Sequence, residues 1–505
     1  MVEMQMAIFA RFLFVALIAM TLWPQQGQAA NRVIMAIQDL GPETWWPQDI
    51  SNNKFITGSI GDPLVRLVSP YNLEPALAKS WTISDDGLTY TFTLRDDVYF
   101  HDGTKMTAAD VAFTFAPENV ANYFGFSQIK RGNLYAAEAD GNSVILRLKT
   151  PVPIMMDYIV RVTIRPKIYF EKVGADGFNK MPIGTGPFKF VKHLKGQQVV
   201  LSAFDKYYAG RPSVDELVIR IVPEAATRIA MLRTGEADLT YNELGPNTAE
   251  VKKYGFRTQT YGLPFERVLM FTNVLRKDRP PSVFDDKRVR QAMTMAIDRE
   301  AVAEAVFLGQ AKPAVLPIVS SEMPFANPKM SALPFDQAKA KALLGEAKIP
   351  PGFEPTLYAP SDSRDLATLL VSFWQQIGFN AKITLLDPGA LTTAWLQRKL
   401  EGDNIILGRL LATGMASLVY FDPNAQVAAV SSPETEALAK EGFSIVDPQK
   451  QDAWFRDVFS PKVAEAYPLS VLLEHPEGVL ALGPRVVSWT KFDQHGMGFQ
   501  WLIAK

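Results

Sequence analysis

The chain has 505 residues, with 52 Lys and Arg against 53 Asp and Glu, a formal net charge of −1, 48% hydrophobic residues and no cysteine. The missing cysteine excludes disulfides, cysteine nucleophiles and thiolate metal sites. A near-neutral balance without a basic tract argues against nucleic-acid binding. The 35 prolines and 32 glycines imply many loops, but the apolar content is that of a folded chain, not a disordered one.

Residues 1–29 read as a secretory signal. Arg11 precedes an apolar stretch, Phe12 to Trp23, that is too short to span a bilayer and is followed by Pro24 and polar residues. Gly27 and Ala29 put small side chains at the two positions a signal peptidase reads, so cleavage is expected before Ala30. Glu3 and Arg11 leave together, and the mature charge is unchanged. No later run is comparably apolar, and without cysteine no lipidated N-terminal anchor is expected. The remaining stretch of about 475 residues is too long for one core and implies two or three lobes.

Next comes Glu74 to Phe115. Leu88, Tyr90, Phe92 and Leu94 alternate with polar residues, the period of a strand with one buried face. Asp86-Gly87 and Asp102-Gly103 supply the positive backbone angles of tight turns. Thr107 stands three residues before Asp110, with Val111 and Phe115 four apart, which predicts a capped helix. Residues 141–150 and 197–222 read as strands around turns, and Ala225 to Thr234 as a helix ended by Gly235.

Further along, Asp285 or Asp286 caps a helix whose apolar positions are Val289, Ala292, Met293, Ala296 and Ile297. Asp298 caps a second helix that Gly309 stops. Leu366, Leu369, Leu370, Phe373, Trp374 and Ile377 form another stripe, closed by Gly378 and followed by the strand-like FNAKITLL. These stripes predict core. The fold class is mixed α/β.

Several segments carry a family likeness in order. They are the 74–115 run, MPIGTGPFKF (181–190), the 205–239 unit containing DKYYAGRPSVDELVIRIVP, MFTNVLRKDRPPSVFDDKRVRQAMTMAIDRE (270–300), FDQAKAKALLGEA (335–347) and the helix–strand pair 366–385. Together they resemble the family 5 extracytoplasmic solute-binding proteins of peptide, nickel and opine ABC importers, over nearly the whole mature chain. The resemblance implies a periplasmic-binding-protein-like α/β fold, bilobed with an extra third domain and closing in the manner of a Venus flytrap. Lobe I would comprise 30–60, 182–270 and 483–505, the extra domain II 61–181, and lobe III 271–482. Crossings near Met270 and Leu482 would form the hinge.

It implies a periplasmic receptor, a monomer, that delivers a peptide or peptide-like solute to an inner-membrane ABC permease with ATPase subunits. The receptor would use no cofactor and catalyse nothing. Peptide-binding relatives keep an acid in a segment resembling GW-x-GD-x-x-DPD. The nearest match is GRLLATGMAS (408–417), where Ala412 takes the acidic position and Arg409 the aromatic one. That departure raises the alternative of a non-peptide anionic solute, an opine or sugar-phosphate conjugate, since a guanidinium forks onto carboxylate or phosphate. A lobe-bridging or surface role is the plainer reading of Arg409. Trp45 and Trp46 follow the first strand, where aromatic walls suit a cleft, although packing is the alternative for at least one. Tyr420 and Asp422 are further cleft candidates, Asp422 as a substitute for the missing acid.

A periplasmic hydrolase is the competing class. His101, His193, His475 and His495 lack partners at metal-binding spacing, and no HExxH, GxSxG or Walker loop is present. In GTGPF, Gly184 and Gly186 are expected to permit a tight backbone passage. No metal site is expected.

Overall fold

A computed structural model describes residues 31–505 except 42, 47–53, 70–71, 121–133, 153–154, 243–245, 272–273, 275–280, 316–322, 324, 398, 401, 412–431, 446, 467–469 and 490–497. Residues 1–29 therefore lie outside the described residues. Among those described, no helix is long and apolar enough to cross a membrane.

One long sheet runs through the molecule. Its strands are β1 (Arg32–Ile37), β2 (Phe188–Leu194), β3 (Gln198–Ala203), β4 (Glu216–Ile221), β5 (Leu239–Asn242), β6 (Arg257–Phe271), β7 (Thr356–Pro360), β8 (Lys382–Leu386), β9 (Asn404–Leu411) and β10 (Ser470–Leu482). Their spatial order is β8-β7-β9-β6-β10-β5-β1-β4-β3-β2, with the short strand Lys312–Pro313 added on β10. β1 lies parallel to β4 and β5, and β7 lies parallel to β8 and β9. β6 and β10 are antiparallel to one another; β10 is antiparallel to the β1 group through β5, and β6 to the β7 group through β9. Val33, Met35, Ala36 and Ile37 of β1 are all fully buried, as expected of a parallel strand covered on both faces.

The buried apolar residues fall into three main clusters. The first joins β1 to β2–β5, the helix Lys54–Ile60 and the C-terminal residues Trp489, Phe499 and Leu502. The second gathers Leu64 to Ile164 around a separate antiparallel sheet of Ala78–Ile83, Thr89–Leu94, Ser143–Leu148 and Leu134–Asp140. The third runs from Val268 to Leu473. Tyr90, Phe92 and Leu94 face the second core, and the helix Ala108–Phe115 starts where the spacing predicts. There the Asp110 carboxylate accepts from the Thr107 amide (2.9 Å) and hydroxyl (2.7 Å), and also from the Lys167 amide at the start of the next long helix (2.9 Å).

Asp286, not Asp285, caps the helix Lys287–Met295, while Asp285 closes the short turn before it. Asp298 accepts from the Ala301 amide at the start of Arg299–Phe307. That helix ends with Leu308 and Gly309 both left-handed, so the stop begins one residue before the glycine. The stripe of Arg364–Gln376 packs inward, and the Trp374 indole donates to the Met293 carbonyl (3.0 Å), joining two core helices.

A close seam joins the first and second cores. A Cβ added to Gly184 would lie 2.3 Å from the Ile60 carbonyl oxygen, and one on Gly186 2.5 Å from that of Ser59, so the glycines are required by contact. The Gly186 amide donates to Ile60 (2.7 Å). The seam also holds a buried polar group. The Arg66 guanidinium bonds to the Asp62 carboxylate and to the Tyr207 hydroxyl, which itself reaches Asp62 (3.1 Å). Burial pushes the Asp62 carboxyl above its usual range, and the Arg66 charge opposes that. Removing one member of such a group would strand the others, so it ties the two bodies together.

His101 lies in the turn with Asp102 and Gly103 and is half-buried. Its ring packs edge-on to Phe204, Nε2 lies 3.0 Å from the Gly186 carbonyl, and Nδ1 faces the Gly184 amide at 3.4 Å. That pattern fits a neutral ring with its proton on Nε2. Burial pushes its pKa down to about 4.

Two outcomes follow for stability. Gly186→Ala should lower the unfolding free energy by about 2 kcal/mol or more through overpacking against backbone, whereas Gly235→Ala, strained in φ but surrounded by open space, should cost about 1 kcal/mol. Denaturant titration of both variants checks this, and equal losses would contradict it. The folded His101 pKa lies below the unfolded value, so the unfolded chain binds the extra proton. The contribution of His101 is full above about pH 6.5 and is lost as pH falls towards 4. Between pH 7 and 4.5 the wild type should lose roughly 2–3 kcal/mol more than His101→Gln, and parallel stability curves would refute this.

Candidate functional site

The register of the long sheet fixes where a solute can be held. β5 ends at Asn242, opposite Val479 of β10, which in turn pairs with Thr260 of β6. β9 ends at Leu411, opposite Phe265 of β6. The carboxyl ends of the two parallel groups therefore point towards each other along the β6–β10 ribbon. The levels of Thr260 and Phe265 are five residues apart, or about 16 Å at about 3.3 Å each. Ligands of open α/β sheets bind outside the carboxyl ends of parallel strands. Here one cleft meets two such edges.

The ribbon is interrupted at that point, and again between Arg267 and Val268. β6 places Gly262 and Leu263 against the single Glu477, between the pairs Tyr261–Gly478 and Pro264–Pro476. A bulge disrupts the ladder, and two facing prolines supply no N–H to it. Gly478 is also constrained, since a Cβ there would meet the Tyr241 ring at 2.5 Å. The sequence expectation put the crossings at Met270 and Leu482. Both residues are buried, 2% and 6% exposed, and the interruption of the ladder falls between them.

On the β1 bank, Trp45 and Trp46 are clamped by one side chain. Both backbone amides donate to Asn179 Oδ1 (2.6 and 2.8 Å), and Asn179 Nδ2 donates to the Trp46 carbonyl (2.7 Å). Trp45 is 4% exposed, against Phe190 and His193. Trp46 is partly buried against Phe170 and lies 4.8 Å from the Arg165 guanidinium. The pair thus takes part in packing, Trp45 in the first core and Trp46 towards the second. Each indole nitrogen is buried without a hydrogen-bond partner among the described residues. Glu43, in the left-handed region at φ 51, anchors the same loop. It meets His193 Nε2 at 2.5 Å and accepts from the Gly196 amide at 3.0 Å.

On the β7–β9 bank, Arg409 is on β9 directly opposite Arg267 of β6. Ala412, Tyr420 and Asp422 lie outside the described residues. Arg267 is a buried charge on the same bank that sequence reasoning did not single out. It is 8% exposed, its Nη1 donates to Ser363 Oγ (3.3 Å), and its guanidinium lies 5.7 Å from the centre of the Phe307 ring. Ser363 in turn donates to the Asp362 carboxylate (2.9 Å). The available signal was the charged pair Glu266-Arg267 at the head of the apolar run VLMF. Of the remaining histidines, His475 is on β10 opposite Phe265, and His495 lies outside the described residues.

The chain matches the bacterial extracellular solute-binding proteins, family 5 (Middle), over residues 72–421. It is 29% identical over 465 residues to heme-binding protein A of Haemophilus influenzae, covering 83% of this chain and 82% of that protein. It is 32% identical over 378 residues to the glutathione-binding protein GsiB of Salmonella paratyphi A, covering 72% and 70%. The fold superposes on the ABC transporter substrate-binding protein CtaP of Listeria monocytogenes with a TM-score of 0.78 at 25% identity, over 94% of this chain and 99% of that one. With facing strand ends across a two-stranded ribbon and a match over most of its length, the chain belongs to the family 5 extracellular solute-binding proteins of ABC importers.

Proposed function

We propose that the protein is a periplasmic receptor, released by cleavage of residues 1–29, that captures a peptide or peptide-like solute and passes it to an inner-membrane ABC permease. It works as a monomer and makes or breaks no bond, and ATP hydrolysis belongs to the ATPase subunits of the partner. The observation that carries this reading is the pair of strand edges facing each other over the bulged ribbon, which gives a ligand two banks to bridge. A ligand touching both banks favours the closed arrangement over the open one. Micromolar affinity corresponds to about −8 kcal/mol, enough to shift a closing equilibrium of a few kcal/mol. A glutathione-binding relative supports a peptide-like solute. In the three-lobe division proposed here, 30–60, 182–270 and 483–505 form one bank, 271–482 the other, and 61–181 the extra domain.

A second reading stands beside it, because Arg409 occupies the 408–417 segment where an acid would hold a peptide amino terminus. An anionic solute, opine-like or phosphate-bearing, would then be held by the guanidinium. Trp45, Trp46, Tyr420 and Asp422 remain proposed cleft residues in either reading.

Native mass spectrometry of protein purified without denaturation would identify a carried-over solute. Titration calorimetry of Arg409→Ala against that solute should show a loss of about tenfold or more if the group held is acidic. Unchanged affinity would end the anionic reading. Turnover of an offered peptide would overturn the receptor reading itself.

A further inference from the structure

We infer that Asn179 is a positioning residue for solute binding: from the second body, it holds the Trp45–Trp46 loop of the first in the arrangement that receives the solute. The inference rests on the receptor reading above and deepens it, since it gives the extra domain a part in affinity.

The loop starts at a binding edge. β1 lies parallel to β4, and its carboxyl end at Ile37 is the kind of edge outside which open α/β sheets hold ligands. Trp45 and Trp46 follow within nine residues. Three features of this loop are not what stability alone would select. Glu43 is left-handed at φ 51 without being glycine. The indole nitrogens of Trp45 and Trp46 are both buried without a hydrogen-bond partner among the described residues. A buried donor without an acceptor keeps its desolvation cost. Such costs collect where surrounding contacts over-determine a conformation that function needs.

Here those contacts come from two directions. From the β2–β3 hairpin, His193 and the Gly196 amide fix the Glu43 carboxylate. From the second body, Asn179 uses both ends of its amide. Oδ1 accepts from the Trp45 and Trp46 amides (2.6 and 2.8 Å), and Nδ2 donates to the Trp46 carbonyl (2.7 Å). One side chain thus satisfies three main-chain groups more than 130 residues away in sequence. Its helix, Lys167–Lys180, is itself bonded to Asp110 through the Lys167 amide (2.9 Å). The position of the second body is thereby passed to the loop.

The two rings divide the work. Trp45, 4% exposed, anchors the loop in the first core, while Trp46 keeps an exposed part and lies edge-on to Phe170 at 5.0 Å. An aromatic ring fixed before the solute arrives loses less freedom on binding, which is how preorganisation adds affinity. Asparagine is the side chain this requires. Aspartate would accept from both amides but turn a second oxygen on the Trp46 carbonyl, and leucine would strand all three main-chain groups.

The test titrates reduced glutathione calorimetrically into the full mature chain. Asn179→Leu and Trp46→Ala should each weaken binding by about tenfold or more. The double variant should bind within about twofold of Trp46→Ala alone, because Asn179 acts through that loop. Tyr169→Phe removes another hydrogen bond of the same helix, from the Tyr169 hydroxyl to the Met181 carbonyl (2.6 Å), and should leave affinity unchanged. Asn179→Asp serves if Asn179→Leu does not fold, and should weaken binding by about threefold or more through the oxygen it sets against Trp46. Wild-type affinity in Trp46→Ala, or in whichever Asn179 variant folds, would overturn the positioning role and leave the receptor standing. So would a double variant that multiplies the two single losses, or an equal loss in Tyr169→Phe. If the wild type binds no glutathione, the peptide-like reading falls, and the positioning role falls with it.

Discussion

The main-chain ladder between β6 and β10 is the constraint on which the rest of the architecture depends. These two strands run from one packed core into another and carry the sheet across. The ladder is interrupted twice, by a bulge with two facing prolines between Tyr261 and Pro264 and by a second register shift between Arg267 and Val268. A joint of this kind is stiff along its length and soft where it is interrupted. The parallel groups on either side are antiparallel to the ribbon strand each adjoins, and their carboxyl ends converge on the first of these interruptions.

The seam between the first and second cores has the opposite character. Gly184 and Gly186 bring backbone against backbone, His101 holds the glycine loop through both ring nitrogens, and Asp62, Arg66 and Tyr207 share a buried polar group. Each contact is short-ranged and intolerant of displacement, since buried polar groups that lose a partner keep their desolvation cost. The Asn179 clamp on Trp45 and Trp46 lies along the same boundary. The second body is therefore tied to the first by short-range contacts.

Much of this was legible in the sequence, and the rest was hidden for identifiable reasons. The strand Thr89–Leu94, the capped helix after Thr107, the Gly235 stop and the inward stripe of residues 366–377 follow local periodicity and capping, which short-range physics controls. The tight passage at Gly184 and Gly186 was also readable, because glycine at a GTGP element limits the choices. Arg267 was not, since an arginine next to an apolar run looks like the outer end of a strand until register shows that β9 and β10 flank it. Nor was the bulge at Gly262–Leu263, which depends on Glu477 more than two hundred residues away. The two tryptophans show the same limit, since only the long-range bond to Asn179 reveals how their backbone is held.

The most direct measurement exploits the missing cysteine. Spin labels attached to a Gln38→Cys, Ser361→Cys pair sit on exposed positions of the two banks, and pulsed dipolar spectroscopy reads the distance between them. A reference pair on the first and second bodies, Lys195→Cys with Asp85→Cys, reads the seam. With the solute recovered from the native protein added to saturation, the bank-to-bank distance should shorten while the reference distance stays fixed. A bank-to-bank distance that does not change, or a reference distance that changes as much, would contradict a soft joint in the ribbon.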